Sequence, residues 1–199
     1  MDGARALYRK SRAMLEELGW TFLAAQTSFD SGPVEMLAGD LEAAEAELRR
    51  DYDALERMGE TNYISTIAAL LAEVLYRKDD LEGADEFTRI SEELAAHDDV
   101  SSQFRWRSVR GKILASRGSF DQGEKLTREA VDLIGGSDDP NSQGEAMMDL
   151  AQVLRLAGRP ADAAEAAGAG LALFEAKANT VSAAIARATV GELETLGVS

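Results

Sequence analysis

The sequence predicts an all-α protein, a right-handed α-α superhelix (a solenoid) of helical hairpins with a 39–40 residue period. Three observations predict it. Alanine and leucine dominate a chain of 199 residues that holds only three prolines, and Ala, Leu, Arg and Glu lose least on entering a helix. Apolar residues recur at the three-and-four spacing of a helix face, with no strand alternation competing. The chain also repeats itself: "LAGDLEAAEAEL" (37–48), "YRKDDLEGADEF" (76–87), "ASRGSFDQGEKL" (115–126) and "LAGRPADAAEAA" (156–167) align. Each holds a turn residue (Gly39, Asp79, Gly118, Gly158), then an apolar residue or proline two places later (Leu41, Leu81, Phe120, Pro160). Three residues further comes a small one: Ala44, Ala84, Gly123, Ala163. The turns lie 40, 39 and 40 residues apart, and Gly197 is expected as a fifth. Periods of this size mean stacked supersecondary units.

The elements follow in order. Residues 3–18 form a helix with Leu7, Met14 and Leu18 along one side. A helix over 20–37 contains Gly32-Pro33, where the missing proline N–H predicts a kink; Trp20 at its start is expected in the core. Asp40 caps 41–58 and Asp80 caps 81–96. Between them, 61–77 carries Ile64, Ile67, Ala68, Leu71 and Leu75 on one face. His97 is expected to cap the end of 81–96, where a helix terminus favours a cation. After 100–117, Gly118 stops the helix and Ser119 with Gln122 opens 120–134 as a capping box. "GGSDDPNSQG" (135–144) is a loop without the Asp ladder of a calcium site. Helices over 142–157, with Met147, Leu150, Ala151 and Leu154 inward, 160–176 and 179–196 complete the chain. The expectation is one domain over 1–199, with hairpins at 20–58, 61–96, 100–134 and 142–176 between flanking helices 3–18 and 179–196. The methionines, Met14, Met36 and Met58 among them, are expected as core filler.

The turn pattern resembles the tetratricopeptide repeat: a glycine, an aromatic or proline two later, an alanine three after that. The period is longer than that repeat's roughly 34 residues, and Ala68, Arg107 and Met147 stand where its first-helix aromatic falls. HEAT and armadillo repeats share the period but not this turn. The strings "GDLEAAEAELRRDYDALERMGET", "FTRISEELAAHDDV", "WRSVRGKILASRG" and "MMDLAQVLRLAGRPADAAEAA" resemble the C-terminal repeat region of large bacterial signalling proteins. Those join a nucleotide-cyclase or DNA-binding output domain, a signal-transduction ATPase and a repeat tail. This sequence has no phosphate-binding Gly-x-x-x-x-Gly-Lys-Ser/Thr loop and no paired Asp residues in a strand setting. The resemblance therefore implies the regulatory end of such a system.

Composition narrows the function. The 36 acids against 21 bases argue against a general nucleic-acid binder. With no cysteine and one histidine, no thiolate metal site or nucleophile–base–orienter set can be assembled. No cofactor, no metal and no catalytic residue are expected. No apolar run reaches the roughly 18 residues of a membrane span, and a cytoplasmic location is expected.

One segment departs from the acidity. From Val100 to Phe120 there is no acid and five bases, Arg105, Arg107, Arg110, Lys112 and Arg117. Counting back from Gly118 sends Arg105, Ser108 and Lys112 toward a concave groove and Trp106, Val109 and Ile113 into the core. Arg107 and Arg110 are expected as structural ion pairs with flanking acids such as Glu86, Glu92, Glu93, Glu124 or Glu129. The same register puts Thr66, Glu73 and Tyr76, and Glu145, Gln152 and Arg155, in the groove. The expected function is a non-enzymatic regulatory module holding a peptide or protein segment, acidic segments included because the groove has a basic centre; the alternative is a sensor of an anionic metabolite in the same groove. Residues 3–18 read as the second helix of a hairpin whose first helix is missing, and as a fragment of a longer ancestor. Leu7, Met14 and Leu18 are therefore expected to support self-association through residues 3–23, giving a homodimer.

Overall fold

The computed structural model describes residues 2–197. Among these there are eleven helices: α1 (Asp2–Glu17), α2 (Thr21–Ala24), α3 (Ser28–Leu37), α4 (Leu41–Met58), α5 (Asn62–Arg77), α6 (Leu81–Leu94), α7 (Val100–Ser116), α8 (Phe120–Gly135), α9 (Pro140–Leu156), α10 (Pro160–Ala176) and α11 (Thr180–Gly197). No strand occurs among the described residues. The chain divides after Ser102 into two compact units, the boundary falling within the first turn of α7.

One turn design joins most of the helices. Gly19, Gly39, Gly59, Asp79, Gly118, Gly158 and Ala178 all adopt a left-handed backbone. The residue after each donates its N–H back to the carbonyl five before it: Trp20 to Leu15, Asp40 to Glu35, Glu60 to Leu55, Asp80 to Leu75, Ser119 to Leu114, Arg159 to Leu154, Asn179 to Phe174. That bond satisfies carbonyls the helix end leaves open. Gly19, Gly59 and Ala178 show that the turn closes connections between hairpins as well as within them. Gly197, expected as a further turn, is instead the last residue of α11.

The helix starts show where side chains cap and where they do not. The Asp40 carboxylate accepts from Ala43 N at 3.1 Å and Asp80 from Gly83 N at 3.0 Å. Ser119 occupies the N-cap of α8 but makes no side-chain cap bond. Asp139 opens α9 two residues earlier than expected, accepting from Asn141 N and Ser142 N, because Pro140 at the first helical position has no N–H to satisfy. At the other end α6 stops at Leu94, Ala95 turns extended, and His97 lies exposed in the following turn rather than capping the helix.

The expected helix 20–37 is two helices. Pro33 sits inside α3 without ending it; the interruption comes earlier, at residues 25–27. The Ser28 N–H donates to the Asp51 carboxylate of α4 at 2.8 Å, and Thr27 Oγ1 supplies the Ala24 carbonyl at 2.9 Å. A carboxylate from the neighbouring helix thus replaces the bond that would have continued α2 into α3.

Within the first unit, Met36, Ala44, Leu48, Leu55, Ile64, Ile67, Leu71 and Val74 form a buried cluster. In the second, Leu150, Leu154, Ala163, Ala167 and Leu193 form one, Phe104, Ala130, Ile134 and Ala146 another. Close approach is bought with missing side chains: a Cβ on Gly123 would lie 2.6 Å from the Gly111 carbonyl oxygen, and one on Gly144 2.6 Å from the Phe174 ring. Trp20, Met14 and Met58 are exposed, not core; Phe22 meets Tyr63 edge to face beside Trp20's turn, so the aromatic side chains there remain at the surface.

Candidate functional site

In the second unit α7 and α9 are the first helices of successive hairpins, and their side chains meet in polar pairs. Arg105 Nη1 donates to Glu145 at 3.1 Å. Lys112 Nζ donates to Asp149 at 2.6 Å, with the lysine side chain 1% exposed. Lys112 is therefore not a groove residue. It is a buried cation held by a carboxylate 37 residues on, since leaving an ammonium unpaired away from water is prohibitive. Ser108 is buried between these two levels and also faces no open groove.

Arg105 keeps partial access, with its guanidinium 4.7 Å from the Phe104 ring centroid. Its charge also acts on Asp139: burial would raise that carboxyl, but hydrogen bonds from Ser142 and Asn141, with Arg105 behind them, hold it below its ordinary value. Along α9, Gln152 is half-buried, and Glu145 and Arg155 are exposed. One period after Glu145 stands Ile185 of α11, 49% exposed, an apolar member of this row that counting from the turns did not single out.

Arg107 and Arg110 share one support. Their guanidinium carbons lie 4.1 and 4.6 Å from the Trp106 ring centroid, a stacking that suits the flat, weakly hydrated guanidinium. Arg107 also donates to the Gln103 carbonyl at 2.8 Å and lies 3.7 Å from Glu129 of α8. Trp106, Val109 and Ile113 are buried.

In the first unit the α5 positions divide similarly. Thr66 is buried and shares a 2.6 Å hydrogen bond with Ser102, so it too is no groove residue; Ser65 joins the same cluster. Glu73 accepts from Arg77 at 2.6 Å, and Tyr76 is half-buried. Leu7, Met14 and Leu18 are 69, 52 and 60% exposed.

The strongest polar feature of this unit lies outside every expected site. Arg12 grips the fully buried Asp51 with both terminal nitrogens, at 2.6 and 2.5 Å. Arg5 reaches Glu35 at 2.5 Å and Asp40 at 2.6 Å, and its pKa rises above the usual arginine value chiefly through the Glu35 and Asp40 bonds. α1 is thus docked by arginines, and Leu7, Met14 and Leu18 point elsewhere. Among the described residues no cluster of His, Cys, Asp or Glu is placed to hold a metal ion, and no helix is long and apolar enough to cross a membrane.

The fold is that of tetratricopeptide-like helical repeats. It is similar to the Signal Transduction ATPase with Numerous Domains (STAND) protein with a tetratricopeptide repeat sensor from Pyrococcus horikoshii, at TM-score 0.64 and 14% identity over 96% of this chain. This chain spans 28% of that protein's length. BtubC from P. vanneervenii matches at TM-score 0.59 and 14% identity, covering 98% of this chain and 89% of its own. A putative kinesin light chain of nearly identical TPR-like repeats from Podospora anserina matches at TM-score 0.53 and 12% identity, covering 86% and 85%. No protein-family model matches the sequence, and no curated protein does.

Proposed function

We propose that this protein is a non-enzymatic interaction module of a signalling or transcription-regulatory system, binding a peptide or protein segment along its first-helix faces. The observation that carries the reading is the row Arg105, Glu145, Ile185, one residue from each of α7, α9 and α11 and spaced by one period. It offers the Arg105–Glu145 ion pair and then an apolar contact, with Gln152 and the exposed Arg155 beside them. Successive helices presenting different chemistry suit an extended chain, which can place one side chain per repeat. The neutralisation of Lys112 by Asp149 and of Arg105 by Glu145 weakens the case for a small anion, because neither base is left to hold it alone. The tetratricopeptide sensor of the STAND ATPase, so described, supports a regulatory setting.

The test is binding of a peptide library to the immobilised protein, with hits measured by fluorescence anisotropy. Arg155→Glu and Ile185→Asp should each weaken a hit at least about fivefold, near 1 kcal/mol, with the helical signal unchanged. Hits indifferent to both substitutions, or a metabolite that raises Tm where no peptide binds, would overturn this reading.

A further inference from the structure

α1 carries an apolar stripe on the side away from its own chain. Leu7, Ser11, Met14 and Leu18 follow one another at spacings of four, three and four, and the Leu18 N–H still bonds to the Met14 carbonyl, so Leu18 prolongs the helix face. The side facing the chain is marked by the buried Arg12 and the partly buried Arg5, Tyr8 and Leu15. Written as a heptad with Ser11 and Leu18 at a, Leu7 and Met14 fall at d. Lys10 and Glu17 then fall at g, seven residues apart on the same flank. Both are exposed and neither forms an ion pair among the described residues.

This pattern is self-complementary only in one orientation. With two copies of α1 antiparallel about a twofold axis, Leu7 meets Leu18 of the second copy and Ser11 meets its Met14. The g positions of antiparallel helices then face each other, so Lys10 lies beside Glu17 of the second copy, and symmetry makes that pair twice. In a parallel pair Lys10 would face no acid at its own level. Charge also favours this face: the chain has 36 acids against 21 bases, but α1 holds four bases (Arg5, Arg9, Lys10, Arg12) and three acids (Asp2, Glu16, Glu17). Two copies therefore repel least where their α1 helices meet.

The patch is large enough. Trp20, Phe22 and Leu23, 42–55% exposed, continue it past the end of α1, and Phe22 packs edge to face on Tyr63 at 6.0 Å. Six large side chains, each offering on the order of 100 Å², bury about 1,200 Å² across two copies, at the lower edge of specific interfaces.

We propose that the protein forms a twofold dimer through antiparallel α1 helices, with Leu7, Met14 and Leu18 as its apolar seam and reciprocal Lys10–Glu17 pairs on its flank. This goes beyond peptide binding and does not depend on it. Sedimentation of the full chain across a dilution series should show a monomer–dimer equilibrium. Leu7→Lys should leave only monomer. Lys10→Glu sets acid against acid twice and should weaken association roughly tenfold, and Lys10→Glu/Glu17→Lys should restore it. Circular dichroism should report folded protein throughout, since none of these residues is buried. A parent chain that stays monomeric at every concentration, which would leave the stripe to another protein's helix, overturns the proposal. So does a dimer indifferent to Leu7→Lys, or one that the double charge exchange fails to rescue.

Discussion

Asp51→Ala tests whether α1 is held by charge. Asp51 accepts both Arg12 nitrogens, at 2.6 and 2.5 Å, and the Ser28 N–H at 2.8 Å, from a fully buried position. Removing it strands a guanidinium that is itself buried and leaves the Ser28 amide, at the break between α2 and α3, without its acceptor. Loss of one partner of a buried pair costs about 3–5 kcal/mol, and the freed Ser28 amide adds about 1 kcal/mol if no water reaches it. The expected loss is therefore about 4–6 kcal/mol, against roughly 5–15 kcal/mol for a whole domain. At about 2–4 °C per kcal/mol, Tm should fall by roughly 10–20 °C. Urea titration followed by circular dichroism measures the free energy directly. Arg12→Met/Asp51→Leu is the control: with neither charge left to bury, most of the loss should be recovered. An Asp51→Ala protein within about 1 kcal/mol of the parent would refute the claim that this pair docks α1.

The turns and glycine contacts give further tests by the same urea titration. Ala178→Gly should stabilise by about 1 kcal/mol, because Ala178 holds φ 58°, where a Cβ is unfavourable. Gly123→Ala should destabilise by about 1–3 kcal/mol despite alanine's better helix propensity, since its Cβ would meet the Gly111 carbonyl oxygen at 2.6 Å. Acid should weaken the fold through the carboxyls it holds below their ordinary values of 3.8 (Asp139) and 4.5 (Glu45, the Lys78 bond first among its causes). Their contribution is fully present above those values and is lost as pH falls through and below them, so the urea midpoint should drop from about pH 5 downward, and less steeply in Asp139→Asn.

Much of the fold was legible because its signals are local. Gly39, Asp79, Gly118 and Gly158 mark turns through their own backbone preference, and Asp40 and Asp80 cap helices through residues three positions away. Ala44, Ala84 and Ala163, read as small for close packing, are fully buried. The break at 25–27 was not legible, because its cause is Asp51 on another helix; Pro33, the local suspect, sits within α3. Trp20 failed for a related reason: hydrophobicity says a side chain can be buried, not that a neighbour is there to bury it.

The charges were misassigned for a reason the repeat itself explains. Lys112 was read as free because no acid stands near it in sequence, yet its carboxylate is 37 residues away. Arg105 meets Glu145 at 40, Arg12 meets Asp51 at 39, Ser65 meets Ser102 at 37, Asn179 meets Asn141 at 38 and Arg159 meets Glu124 at 35. In stacked hairpins the neighbour of a side chain is the same position one repeat on, so the period that sets the fold also sets the partners. A base on such a chain is free only if the residues about one period before and after it on the matching face carry no acid. Arg155 does not meet that condition toward α11, where the corresponding stretch 190–195 holds Glu192 and Glu194. Its exposure, rather than its sequence, is what keeps it available. Exposure likewise separates Arg155, which a binding partner can reach, from the buried Lys112, whose replacement would act on the stack before it acted on any ligand.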